Sequence, residues 1–248
     1  MSHNELHDFL RLLKASPSGA VFNPWWAVDA QNVFGPSAPA IRREQLLAYL
    51  RERLPNAKFA IVGEALGYRG GHFSGIAMAS ERMLLGKKPE IVAALCEHRN
   101  LDADVRDGGC RPPLRILSDI NARRTSKPEM CPHGCSEPTA TIVWGTLLKI
   151  GVRPDEFVLW NAFPWHSFDP RRGLLSNRMP NKSERAAGLS VLATFLELFP
   201  CEQIVALGKI AAAQLEQLGV NAHCVRHPAS GGAKLFRHQI AAIVNKVI

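Results

Sequence analysis

Residues 61–67 read IVGEALG: an apolar, β-branched run, then a carboxylate, then a glycine-bearing turn. Two later stretches repeat the pattern, VLWNAF at 158–163 and VRHPASGG at 225–232. In a parallel α/β sheet such a strand end delivers a polar side chain to the cleft at the sheet's carboxyl edge. Three of them can bring a carboxylate (Glu64), an amide (Asn161) and an imidazole (His227) around one pocket. That set suits recognition of a planar heterocycle and cleavage of the bond that holds it.

Working outward, strands are expected at 58–64, 156–163, 201–208 and 222–227. Helical apolar spacing covers 4–14, 41–54, 139–150, 182–199, 209–218 and 233–247, with a further helix beginning near Ser80. The aromatic-rich loop 16–40, SPSGAVFNPWWAVDAQNVFGPSAPA, is too long to dangle and is expected to pack over the domain. Residues 87–138 keep little period and read as an irregular insertion with a short helix inside. Strands alternating with helices predict an α/β fold, a three-layer α/β/α sandwich around a central, mainly parallel four-stranded sheet. One domain over residues 1–248 is expected.

No apolar run approaches the roughly 20 residues of a membrane span, and the amphipathic start MSHNELHDFLRLLK is not a secretion signal. A cytoplasmic monomer is the expectation. Thirty Lys and Arg against 22 Asp and Glu leave a net charge of +8, which favours a polyanionic partner through phosphate neutralisation; a merely solubilising surface is the other reading. Arg42/Arg43, Arg123/Arg124 and Arg171/Arg172/Arg178 form the basic clusters. Of six cysteines, Cys201 and Cys224 at strand starts read as small buried hydrophobes. Cys96, Cys110, Cys131 and Cys135 fall close together in the insertion.

Each candidate has a plainer alternative. Glu64 could cap the helix that follows, although the adjacent loop lacks both GxGxxG and a GKS/T ending, so it is not a dinucleotide or P-loop motif. Asn161, flanked by apolar residues, must satisfy two donors and an acceptor. Its carboxamide matches the adjacent N–H and C=O edge of uracil and mismatches cytosine, but it could also tie down a neighbouring loop. His227 could stabilise an anion developing on a leaving base or be structural. Ser230, Gly231 and Gly232 form a backbone-rich concavity suited to phosphate, with Lys234 and Arg237 nearby.

Together these motifs resemble those of the uracil-DNA glycosylase superfamily over most of the chain, from about Phe22 onward. GEALGYRGGHFSGIAM is similar to the first motif of the bacterial and archaeal branch that carries a GEAPG-type sequence, WNAFPWH to the strand bearing the uracil-reading Asn, and RHPASGG to the second motif. The resemblance implies a DNA glycosylase of base excision repair that flips uracil or another deaminated base out of DNA. Gly63, Glu64 and Ala65 would line the water-activating side, Asn161 would read the base, and His227 would stabilise charge on uracil O2. Gly67, Ser230, Gly231 and Lys234 would contact DNA.

The chain also departs from that pattern. Ala65 stands where the best-known branch has a catalytic Asp, Leu66 replaces Pro, and Gly67 replaces the Tyr that excludes thymine. Met78 stands where an aromatic stacks on the base, with Phe73 or Phe163 as substitutes. Small residues after His227 replace the apolar wedge that fills the emptied stack. A catalytically weak homologue that binds damaged or single-stranded DNA is therefore the alternative, and a hydrolase of free nucleosides a third reading. Some members of that branch hold a four-cysteine iron–sulfur cluster. Here Cys131-x3-Cys135 does not follow a standard ligand spacing, so no metal or other cofactor is expected.

Overall fold

A computed structural model describes residues 3–98, 116–117 and 120–246. In chain order the elements are α1 (His3–Leu12), β1 (Val21–Phe22), α2 (Ala38–Arg53), β2 (Phe59–Ala65), the short turns of helix α3 (Gly71–Ser74) and α4 (Glu81–Leu84), α5 (Pro89–His98) and α6 (Pro138–Lys149). There follow β3 (Phe157–Phe163), β4 (His166–Ser167), α7 (Lys182–Leu198), β5 (Gln203–Leu207), α8 (Lys209–Gln217), β6 (His223–Val225) and α9 (Ala233–Val244).

The sheet runs β3-β2-β5-β6 with every neighbouring pair parallel. Helices flank it, with α7 packing on β3 and α8 on β5, so the fold is the expected α/β/α sandwich. β3 is buried along its whole length, and β2 through Gly63. Chain connections lead from β2 to one side and from β5 to the other. The change of direction opens a crevice beyond the carboxyl ends of the central strands.

Three details differ from the sequence expectation. β2 runs on through Ala65, which puts Glu64 inside the strand. β6 stops at Val225, which leaves His227 in the turn beyond it. β1 and β4 form an antiparallel ribbon of two residues each, too short to give any periodic signal. Cys224 is exposed, because β6 is an edge strand whose outward face meets solvent; Cys201 is half-buried against the core.

The 16–40 loop does pack inward: Trp25 is fully buried and its indole N–H donates to the Gly75 carbonyl at 3.0 Å. The later part of the irregular segment is held by one buried carboxylate. Glu81 accepts from the Thr125, Ser126 and Cys135 N–H groups and from the Ser126 hydroxyl. Among the described residues no helix is long and apolar enough to cross a membrane.

Candidate active-site cleft

The carboxyl ends of β2 and β3 and the turn after β6 enclose a cleft of about 380 Å³, within the range of small-molecule sites. Glu64, Ala65, Gly67, Met78, Asn161 and His227 all line it. Six of the residues singled out in the sequence therefore meet in one place.

Strand register explains how Asn161 is held. It pairs with Gly63 on β2, and its carboxamide lies over that glycine so closely that a Cβ there would sit 2.6 Å from Oδ1. Asn161 is 2% exposed, and among the described residues no protein group takes up its side-chain hydrogen bonds. The residue is buried, but its carboxamide opens on the cleft, where solvent or a ligand can complete its hydrogen bonds.

Met78 borders the same glycine, and a Cβ at Gly63 would lie 3.6 Å from its sulfur. Its backbone is left-handed, with φ of 49°, a conformation that costs a non-glycine residue about 1–3 kcal/mol and gathers at functional sites. The Trp144 indole, donating to the Met78 carbonyl at 3.0 Å, holds it there.

His227 accepts the Ala229 N–H on Nδ1 at 3.1 Å, which leaves Nε2–H as the donor of the neutral ring. Burial, then the charge of Arg226, keeps this imidazole below its ordinary pKa, so it is neutral at pH 7. Burial raises the Glu64 carboxyl above the usual carboxylate range, opposed by the Arg185 guanidinium on α7. A carboxylate made more basic by its surroundings suits a general base.

The cleft also contains Glu137, Thr139, Asn177 and Met179, which sequence reasoning missed, and Arg178, which it had only as part of a basic cluster. Asn177 accepts the Tyr68 N–H at 3.0 Å, joining the 164–181 loop to the loop after β2. Arg178 grips Glu184 through both terminal nitrogens at 2.6 and 2.7 Å, and Glu184 forms a capping box with Asn181. The NKSE sequence at 181–184 carries that capping signal openly. Glu137 precedes the first proline of α6 and reads in sequence as an ordinary helix-start acid; its depth in the cleft is a tertiary property.

Other candidates fall outside the cleft. Phe73 is fully buried, tilted against His72, and borders a separate cavity beside Cys131 and Cys135, so it presents no face to Asn161. Phe163 is buried in a T-shaped contact with Trp165. Ser230, Gly231 and Lys234 are exposed on the turn after His227 and at the start of α9, and Ser230 has a left-handed φ of 51°. The Cys131 and Cys135 sulfurs lie 2.8 Å apart and Cys96 packs against the core; Cys110 is outside the described residues. Among the described residues no three or more His, Cys, Asp or Glu side chains gather as metal ligands.

The basic clusters are only partly free. Arg42 is wholly buried on Asp29, Thr125 and the Pro24 carbonyl. Arg124 is tied to the carbonyls of Ser126, Cys131 and Pro132. Arg69, Arg171, Arg172, Arg226 and Lys234 remain exposed. Arg42 belongs to a dry network behind the cleft loop. Asp29 Oδ2 lies 3.2 Å from His72 Nε2, His72 Nδ1 lies 2.9 Å from His166 Nδ1, and His166 Nε2 lies 2.7 Å from the Ser176 carbonyl.

No protein-family model and no curated protein matches the chain. Among solved structures, the crystal structure of wild-type Pedobacter heparinus SMUG2 superposes with a TM-score of 0.58 at 12% identity, covering 98% of this chain and 97% of that one. Across nearly its whole length, then, this chain has the fold of Pedobacter heparinus SMUG2.

Proposed function

We propose that the protein is a DNA glycosylase hydrolysing the N-glycosidic bond of uracil or another deaminated base. The observation that carries this reading is Asn161: a buried residue whose carboxamide opens on a cleft that also holds a neutral imidazole and a half-buried carboxylate. The fold shared with Pedobacter heparinus SMUG2 over nearly the whole chain supports it. Enzymes acting on a base must take it out of the stack, and the exposed Arg69 and Arg226 beside the cleft, with Lys234 at the start of α9, would supply phosphate contacts.

In this mechanism Asn161 offers its Oδ1 to the base N–H and its Nδ2–H to the neighbouring carbonyl. As the bond from C1′ to the base nitrogen breaks, its electron pair moves onto the base, and His227 Nε2–H donates to the oxygen where the charge gathers. Water adds to C1′ and gives its proton to Glu64. Ala65 leaves this role to Glu64, and the side chain of Met78 forms an apolar wall of the base site.

The test is base release from oligonucleotides carrying one uracil, hypoxanthine or xanthine, single-stranded and duplexed. Release should be abolished by Glu64→Ala and lowered by orders of magnitude by His227→Ala, with DNA affinity kept. Asn161→Asp should impair uracil release and admit cytosine. DNA binding without release of any base, by folded wild-type protein, would leave a damage-binding protein instead.

A further inference from the structure

Glu137 is the group in the cleft that the mechanism above does not use. As a residue it is half-buried, yet its carboxyl end is turned inward: Oε2 is closed off from solvent and has no hydrogen-bond partner. The loop after β2 is shaped around it. A Cβ at Gly67 would lie 2.8 Å from Glu137 Oε1, and one at Gly70 would lie 2.1 Å from Oε2, so only glycines let the carboxyl settle against this backbone. The side chain does not cap α6. Glu137 nonetheless lines the cleft, and its side chain does no helix-end work; with Oε2 turned to the Gly70 backbone, Oε1 is the oxygen left to a ligand.

We infer that Glu137 is a specificity-determining residue that works in its protonated form, donating a hydrogen bond to a carbonyl oxygen of the bound base. The inference rests on the glycosylase reading and names a part of that site which the family motifs do not include. An ionised carboxylate presents only acceptors and would repel a carbonyl; a carboxylic acid presents a donor. Buried carboxyls kept neutral for this purpose are a known device for binding oxygen.

Burial alone pushes this carboxyl up to about 7, with no cation contributing. The titratable groups on the elements around the cleft are Glu64 on β2, Tyr68 and Arg69 on the following loop, Arg178 before α7, Arg185 on α7, and Arg226 and His227 after β6. Arg178 is already engaged by Glu184, and Asn177, whose Nδ2 would lie 3.8 Å from a Cβ at Gly67, is uncharged. Together with Asn161, which meets the base with its acceptor and one of its two N–H donors, a donor from Glu137 favours bases with two carbonyls, or a carbonyl set away from the N–H edge. Cytosine, with its exocyclic amine, would meet donor against donor.

The experiment is single-turnover base release between pH 5.5 and 9 by wild type, Glu137→Gln and Glu137→Ala, with calorimetric binding of free uracil and free hypoxanthine over the same range. For wild type, release and free-base affinity should both fall, approaching tenfold per pH unit well above pH 7. Glu137→Gln, whose amide donates at every pH, should stay flat there. Glu137→Ala should lose at least tenfold at pH 6 while its melting temperature stays near that of the Gln variant. An alkaline fall shared by wild type and Glu137→Gln, or an undiminished Glu137→Ala, would overturn the inference and leave the glycosylase standing. Free-base binding with the expected pH dependence but no release from any strand would do the reverse. Absence of both release and binding would remove both.

Discussion

At the scale of single residues, the cleft depends on close approaches that tolerate little change. Gly63→Ala would place a methyl group 2.6 Å from Asn161 Oδ1, and the carboxamide would have to swing away. Base release is expected to fall by roughly 100-fold, since displacement of a reading group by about 1 Å costs that much, with the far-ultraviolet spectrum unchanged. Glu137 has a stability signature as well as a functional one. Its carboxyl titrates near 7 when folded against an ordinary 4.5, so its contribution is fully present below pH 4.5 and lost as pH rises towards 7. The melting temperature of wild type should drop by several degrees across that window relative to Glu137→Gln; parallel curves would place the folded pKa near normal. Glu64, Asn161 and His227 were legible because each ends an apolar run. Glu137 was not: a glutamate before Pro-Thr-Ala reads as a solvated helix start until the loop glycines are seen folded over it.

At the scale of elements, the connection between β4 and α7 carries the features that motif reading passed over. Its capping box and the Arg178–Glu184 pair fix residues 177–179 at the cleft mouth. Met179, 59% exposed, is an apolar side chain at that mouth. Under the proposed glycosylase function it would serve as the wedge in an emptied base stack, a role that the small residues after His227 cannot fill. Met179→Ala is expected to slow release from duplex DNA about tenfold while leaving single-stranded substrate within about twofold, because unstacking costs a few kcal/mol only in the duplex. Equal effects on both strands would make Met179 part of the base pocket instead. The strands and long helices were read to within a few residues because hydrophobic period reports them directly. The β1–β4 ribbon and the short turns α3 and α4 are set by tertiary contacts and leave no period to read.

At the scale of the whole molecule, net charge and fold were legible, but which arginines face outward was not. Arg42 looked like surface charge beside Arg43 and is instead a buried strut between α2, the Asp29 loop and Thr125. Burial lowers its pKa to about 10. Arg42→Leu should cost about 3–5 kcal/mol in denaturant unfolding, as when one partner of a buried pair is removed; a neutral result would mean that Asp29 is satisfied without it. Counting protons gives the neighbouring ring pair a further meaning. The Ser176 carbonyl can only accept, so His166 shows it Nε2–H and, when neutral, turns a bare Nδ1 to His72. His72 must then give up its Nδ1–H, leaving a bare Nε2 against Asp29. The line from Ser176 to Asp29 closes only with one proton more than two neutral imidazoles and a carboxylate possess. Burial holds both rings below the ordinary imidazole range, His166 at about 3, so that extra proton is weakly retained. The loop bearing Asn177 and Met179 is thus fastened to α3 and the Asp29 loop by a line of bonds that is one proton short when both rings are neutral.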